Sequence, residues 1–166
     1  ILTVNQQVNP GTSPSSPINF CPNDPPGNIS TYILPADPGG DWTLLGIPMA
    51  SGLPFSFDPL TNVAGIYRYT VVNSPCPALF SEVTVGFFTL PPAPFAYDGT
   101  ACEGGGIPPL TATGITLTWY DDALLTNVVG NGSPFATGQT AQGSYIYYVT
   151  ETNADVCEGP ATIVTL

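Results

Sequence analysis

The 166-residue chain carries 12 acidic residues against a single arginine, with no lysine or histidine, for a net charge of −11. One cation makes no basic patch, which excludes nucleic acid and anionic lipid as partners held by charge. No apolar run reaches the length of a membrane-spanning helix, and 18 Gly and 20 Pro among many Thr, Val, Tyr and Phe suit strands and turns, with a neutral polar surface fit for exposure outside a cell.

Residues 1–9 predict a strand. Leu2-Thr3-Val4 recurs as Val83-Thr84-Val85 and again as Val164-Thr165-Leu166, at an interval of 81 residues each time. Pro10 and Pro91, Cys21 and Cys102, and Cys76 and Cys157 keep the same interval. A fixed interval marks tandem modules, here of about 80 residues each. The expected division is a first module over 10–90 and a second over 91–166. Residues 1–9 are then the last strand of a preceding module in an interrupted array, or a strand donated to a neighbour's sheet. In the second case Leu2 and Val4, with Val164 and Leu166 at the far end, form the subunit-joining strand. With no signal peptide and no initiating Met, the chain reads as mature or as a piece of something longer.

Residues 10–17 read as an extended Pro/Ser/Gly linker. After Cys21 and a turn at 23–28, strands are expected at 29–34, around Trp42 and Leu44, and through Leu53, Phe55 and Phe57, where apolar and polar residues alternate. Gly65-Ile-Tyr-Arg-Tyr-Thr-Val-Val-Asn-Ser-Pro-Cys76 is the next strand and its loop, followed by a strand over 82–90, with 91–94 as hinge. The second module replays the order. Leu110 follows Cys102 by 8 residues, as Ile29 follows Cys21; Ile115, Leu117 and Trp119 alternate with polar residues; Phe135 precedes Gly143 as Phe57 precedes Gly65. Gly143-Ser-Tyr-Ile-Tyr-Tyr-Val echoes the Gly65 strand and runs on to Cys157. Short alternating strands separated by turns predict an all-β fold, two tandem β-sandwiches. A Tyr early in the penultimate strand and a Trp on an earlier one make each an immunoglobulin-like variant.

Cys102-Glu-Gly-Gly105, Leu110-Thr-Ala-Thr-Gly114, Thr118-Trp-Tyr120, Tyr147-Tyr-Val-Thr150 and Cys157-Glu-Gly-Pro160 are similar to motifs of the Ig-like repeats of very large Bacteroidota surface proteins, including gliding-type adhesins exported by the type IX secretion system. Gly40-Asp-Trp-Thr43, Gly65-Ile-Tyr-Arg-Tyr-Thr-Val71 and Pro75-Cys-Pro77 resemble a sister repeat. The resemblance implies a cell-surface location, adhesion or fibre formation, and no enzymatic role.

The residues agree with a non-catalytic protein. Without His or a Lys base, a hydrolase triad lacks its proton acceptor. Paired carboxylates for glycoside hydrolysis are confined to Asp121-Asp122 in a turn, where adjacent residues face solvent. Four cysteines without short paired spacings do not make a metal site. Each module instead holds two cysteines 55 residues apart, which predicts disulfides Cys21–Cys76 and Cys102–Cys157, each contributing about 4 kcal/mol in the chain-entropy model. No cofactor is expected. Calcium at scattered acids (Asp37, Asp41, Asp98, Asp121, Asp122, Asp155) is set against solvated turn acids, since no Asp-x-Asp-x-Asp-Gly loop exists. Aromatics near the hinge (Phe87, Phe88, Phe95, Tyr97) and on the second module (Tyr120, Tyr148) are either a sugar-stacking platform or cover for core and edges. Asn28-Ile-Ser30 and Asn131-Gly-Ser133 match the N-glycosylation pattern, which recurs by chance. Arg68 is expected to pair with Glu82 on the next strand.

The reading is a structural repeat or subunit of an extracellular fibre or surface adhesin, its partners being copies of itself or adjacent repeats. A glycan-binding adhesive module is the alternative, and a filament joined by donated strands is a third.

Overall fold

The computed structural model describes residues 3–102 and 104–166, and the chain divides between Phe88 and Thr89 into two compact units. Both are immunoglobulin-like β-sandwiches. The first has a five-stranded sheet in the order β1 (Ile18–Phe20), β7 (Leu79–Phe87), β6 (Gly65–Val71), β3 (Asp41–Leu44), β4 (Ile47–Ser51). β1 runs parallel to β7, with Ile18 opposite Val85 and Phe20 opposite Phe87, and the other pairs are antiparallel. A second layer, the short pair β2 (Gly27–Asn28) and β5 (Ser56–Phe57), closes over the inner face.

Alternation in the sequence sets that face. Trp42 and Leu44, Tyr67, Tyr69 and Val71, and Val83 and Val85 all point inward and are buried, because successive side chains of a strand alternate between faces. Each contributes roughly 1.5–3 kcal/mol by leaving water. On the outer face Arg68 donates to Glu82 at 2.8 Å, as expected, and lies 4.1 Å over the Phe80 ring.

The second unit has the sheet order β11 (Val128–Asn131), β10 (Leu117–Tyr120), β12 (Ile146–Glu151), β13 (Thr162–Thr165), with a short pair β8 (Phe95–Ala96) and β9 (Ala112–Thr113). Its core is Leu110, Leu117, Trp119, Phe135, Tyr147, Val149 and Val164.

Several local expectations are corrected. Residues 29–33 form a 3₁₀ turn rather than a strand: Asn28 caps it by accepting from the Ser30 amide at 3.0 Å, and Ile29 and Ile33 are buried on one side. The capping side chain offers the backbone a turn that a strand cannot match. Of residues 53–57, only Ser56 and Phe57 join a ladder. The edge strands β4 and β11 carry no clear alternation. β4 is folded back by Leu45 and Gly46, both at positive φ (50° and 80°), a two-residue turn whose twist suits a hairpin.

Residues 3–9 form no strand in the single chain. Val8 packs against the first core, Asn9 exchanges hydrogen bonds with Asp37, and the Asn73 amide reaches Gln6 O at 3.1 Å. Of the expected joining residues, Val4 is exposed, Val164 is fully buried in its own unit, and Leu166 packs against that core. Leu2 lies outside the described residues.

The repeat is more exact than the sequence shows. Tyr67 faces Val83 as Tyr147 faces Val164; Trp42 faces Tyr69 as Trp119 faces Val149. Trp42 stacks on Phe55 at 5.3 Å and Trp119 on Phe135 at 5.0 Å. Phe55 and Tyr67 therefore correspond to Phe135 and Tyr147, two residues away from the match drawn through Gly65 and Gly143. A slip of two keeps every side chain on its own face, so alternation cannot reveal it.

Candidate functional site at the two ends of each module

The sheet gives each module two unlike ends. At one end is the hairpin tip between the last two strands. In the first module the tip is Asn73–Cys76, closed by the Cys76 amide on Asn73 O at 2.8 Å. In the second it is Asn153–Cys157, with Val156 N on Asn153 O at 3.1 Å and Cys157 N on Asn153 Oδ1 at 3.0 Å. The second tip has one residue more, which shifts the interval of the repeat from that of the strand before it to that of the strand after it.

The chain enters each module at this tip. Asn73 Nδ2 donates to Gln6 O, and Asn153 Nδ2 donates to Thr89 O at 2.7 Å. The entering segment then follows the last strand. Ser81 Oγ donates to Gly11 O, and Thr162 Oγ1, at the equivalent place, donates to Pro94 O. It reaches the opposite end beside Phe87 in the first module and beside Thr165 in the second, where Gly99 N donates to Thr165 O at 2.8 Å. Cys21 and Cys102 lie at that opposite end, here called the exit end, because the last strand finishes there.

This placement overturns the expected intramodule disulfides. From Leu79 to Phe87 is eight strand steps, about 26 Å. Cys76 lies before the first of these residues, while Cys21 follows Phe20, the partner of the second. A disulfide needs Cα atoms within about 7 Å. Cys102 and Cys157 are likewise separated by the length of β12. In agreement, Cys21 and Cys157 are disulfide-bonded while Cys76 and Cys102 carry free thiols. Equal spacing in the sequence reflects the repeat, not closure within it.

The Cys102 thiol is exposed and lies in the wall of a cleft of about 540 Å³ at the exit end of the second module. Ala101, Ile107, Tyr145 and Leu166 supply its apolar lining and Asp98 and Gln142 polar groups.

The carboxylates are engaged in local structure. Asp122 accepts from the amides of Leu124, Thr126 and Asn127 and from the Thr126 hydroxyl, and these bonds, the Asn127 amide foremost, hold its carboxyl below the usual range. Asp121 accepts from the Asn127 side chain at 2.8 Å. The pair is thus the frame of the β10–β11 loop. Among the described residues no group of three or more His, Cys, Asp or Glu is placed to hold a metal. Tyr120, weighed above as a sugar-stacking residue or as cover, is buried; its hydroxyl donates to Glu158 at 2.7 Å, and Thr150 donates to the same oxygen. Burial, then the bond to Glu158, pushes the Tyr120 phenol up to about 12. Burial also raises Tyr67, partly offset by its bond to Val63 O. Phe87 packs against the first core, while Phe95 and Tyr97 are 59% and 68% exposed and meet edge to face at 4.8 Å.

No curated protein matches the chain. Residues 91–166 match the family described as Ig-like domain, CHU_C associated, which supports the resemblance to Ig-like repeats of Bacteroidota surface proteins. The second module is therefore similar to the Ig-like domains of this family.

Proposed function

We propose that the chain is a structural segment of an extracellular fibre or surface adhesin, in which such modules are joined end to end. The observation that carries this reading is the polarity of each module: the chain enters at the hairpin tip and leaves at the other end, so every added copy extends the array. The family of the second module supports a cell-surface setting, and a net charge of −11 keeps copies from clumping. Adjacent repeats or copies of the chain are the partners. Denaturing electrophoresis of the native material tests it: a polypeptide of many modules, or a ladder of copies, is expected, and a protein present only as a two-module monomer would remove the reading.

Joining by strand donation through residues 1–9 is the non-covalent form of the same proposal. It requires this segment to leave the Asn73 tip, and it predicts polymers that dissociate when residues 1–9 are deleted. The exposed Phe95–Tyr97 pair favours one second reading, a glycan-binding module. It predicts binding on a glycan array that Phe95→Ala or Tyr97→Ala abolishes; a flat array would dispose of it.

A further inference from the structure

The cysteines form a pattern that neither module explains alone. Each module has one cysteine at its hairpin tip (Cys76, Cys157) and one at its exit end (Cys21, Cys102). The tip position is disulfide-bonded in the second copy and a free thiol in the first; the exit position is bonded in the first copy and free in the second. Both positions are therefore competent to be oxidised. The separation of the two ends rules out a bond within either module. The thiols left over are one of each kind.

We propose that Cys76 and Cys102 each form a disulfide with a further copy of this module: Cys102 with the tip cysteine of a copy that follows, and Cys76 with the exit-end cysteine of a copy that precedes. The inference rests on the fibre reading and adds to it a covalent staple at each joint. The partner is recognised by shape as well as by sulfur. The cleft beside Cys102 is concave and partly apolar, and the tip is a narrow turn carrying its cysteine between prolines (Pro75-Cys76-Pro77) or beside the exposed Val156. A copy entered at its tip brings that turn first to the exit end of the module before it. Bond formation joins the two Sγ atoms and releases two protons and two electrons. The electrons pass to a disulfide oxidant, oxidised glutathione or the disulfide of an exchange catalyst, which leaves as two thiols.

The test uses the purified chain in a glutathione redox buffer, followed by non-reducing electrophoresis and peptide mapping. A ladder of covalent multimers that reductant collapses is expected, with Cys76 and Cys102 peptides linked to each other. Neither Cys76→Ser nor Cys102→Ser alone should give the ladder, and a mixture of the two variants should stop at a covalent dimer. Loss of at least nine-tenths of the ladder in each variant is the effect expected. Mapping of Cys76 to Cys21, of Cys102 to Cys157, or of each thiol only to its own kind would overturn the proposal, as would thiols that stay free. In native material a falling mass on reduction places the further copy on another polypeptide, and an unchanged mass in a polypeptide of more than two modules places it on the same one; either supports the proposal. Long native chains with both thiols free would sink the staple and leave the fibre reading standing. A Cys76–Cys102 link inside a two-module monomer would sink both, since it closes one chain on itself and joins no further copy.

Discussion

Trp119 donates its indole N–H to the carbonyl of Gly132 at 2.8 Å, whereas Trp42, its counterpart in the first module, holds the same group buried without an acceptor among the described residues. Trp119→Phe then leaves the Gly132 carbonyl unpaired as well as shrinking the ring, while Trp42→Phe removes a polar atom that is costly where it stands. The first substitution should destabilise its module by about 1–2 kcal/mol more than the second does its own. Amide exchange of β12 against β6 in the two variants measures the difference, and equal losses would count against it.

Tyr69 makes two hydrogen bonds through one hydroxyl, donating to Asp37 O at 2.7 Å and accepting from the buried Gly40 amide at 2.9 Å. Tyr69→Phe strands both backbone groups, and a loss of roughly 2–4 kcal/mol in the first module is expected. Chemical denaturation followed by circular dichroism reads it, and a loss under about 1 kcal/mol would show that water replaces the hydroxyl.

Because hydrogen bonds hold the Asp122 carboxyl below its ordinary value, they favour the folded loop above that value, and the support is lost as pH falls through the lowered one. Exchange at the Thr126 and Asn127 amides should therefore rise in acid. Asp122→Ala should raise it already at neutral pH and remove the acid dependence.

The raised phenol of Tyr120 has the opposite sense. Its contribution is intact below pH 10, the ordinary tyrosine value, and is lost as pH climbs through about 12. Phenolate absorbance should show this tyrosine ionising late, together with unfolding of the second module. Tyr120→Phe should delete that late step, and its persistence would assign the step to another residue.

The fold was legible in the sequence wherever alternation faces a core. The strands through Trp42, Tyr67, Val83, Trp119, Tyr147 and Val164 follow from period two, and the interval of 81 residues announced two modules. Edge strands β4 and β11 escaped because their side chains are largely exposed on both faces, so no pattern is imposed on them. The 3₁₀ turn at Ile29 hid behind β-branched residues, and only the Asn28 cap gave it away. The cysteine pairing was misread for a different reason. Spacing along the chain reports how far apart two residues are in sequence, whereas β6 and β7 carry the tip away from Cys21 by a full strand length. The parallel seating of β1 on β7 puts Cys21 at the far end, and that seating depends on contacts no local pattern encodes.

That seating also decides how a link behaves under tension. The first and last ladder strands of the first module lie side by side and point the same way, so once the disulfide at Cys21 is reduced, a pull on the two ends of the module loads the β1–β7 hydrogen bonds in shear, where they must fail together rather than one after another. Among the described residues, the second module has Gly99 on Thr165, Thr165 on Asp98 and Thr162 on Pro94 in that position. On the fibre reading proposed above, the reduced protein opens at this weaker clasp first.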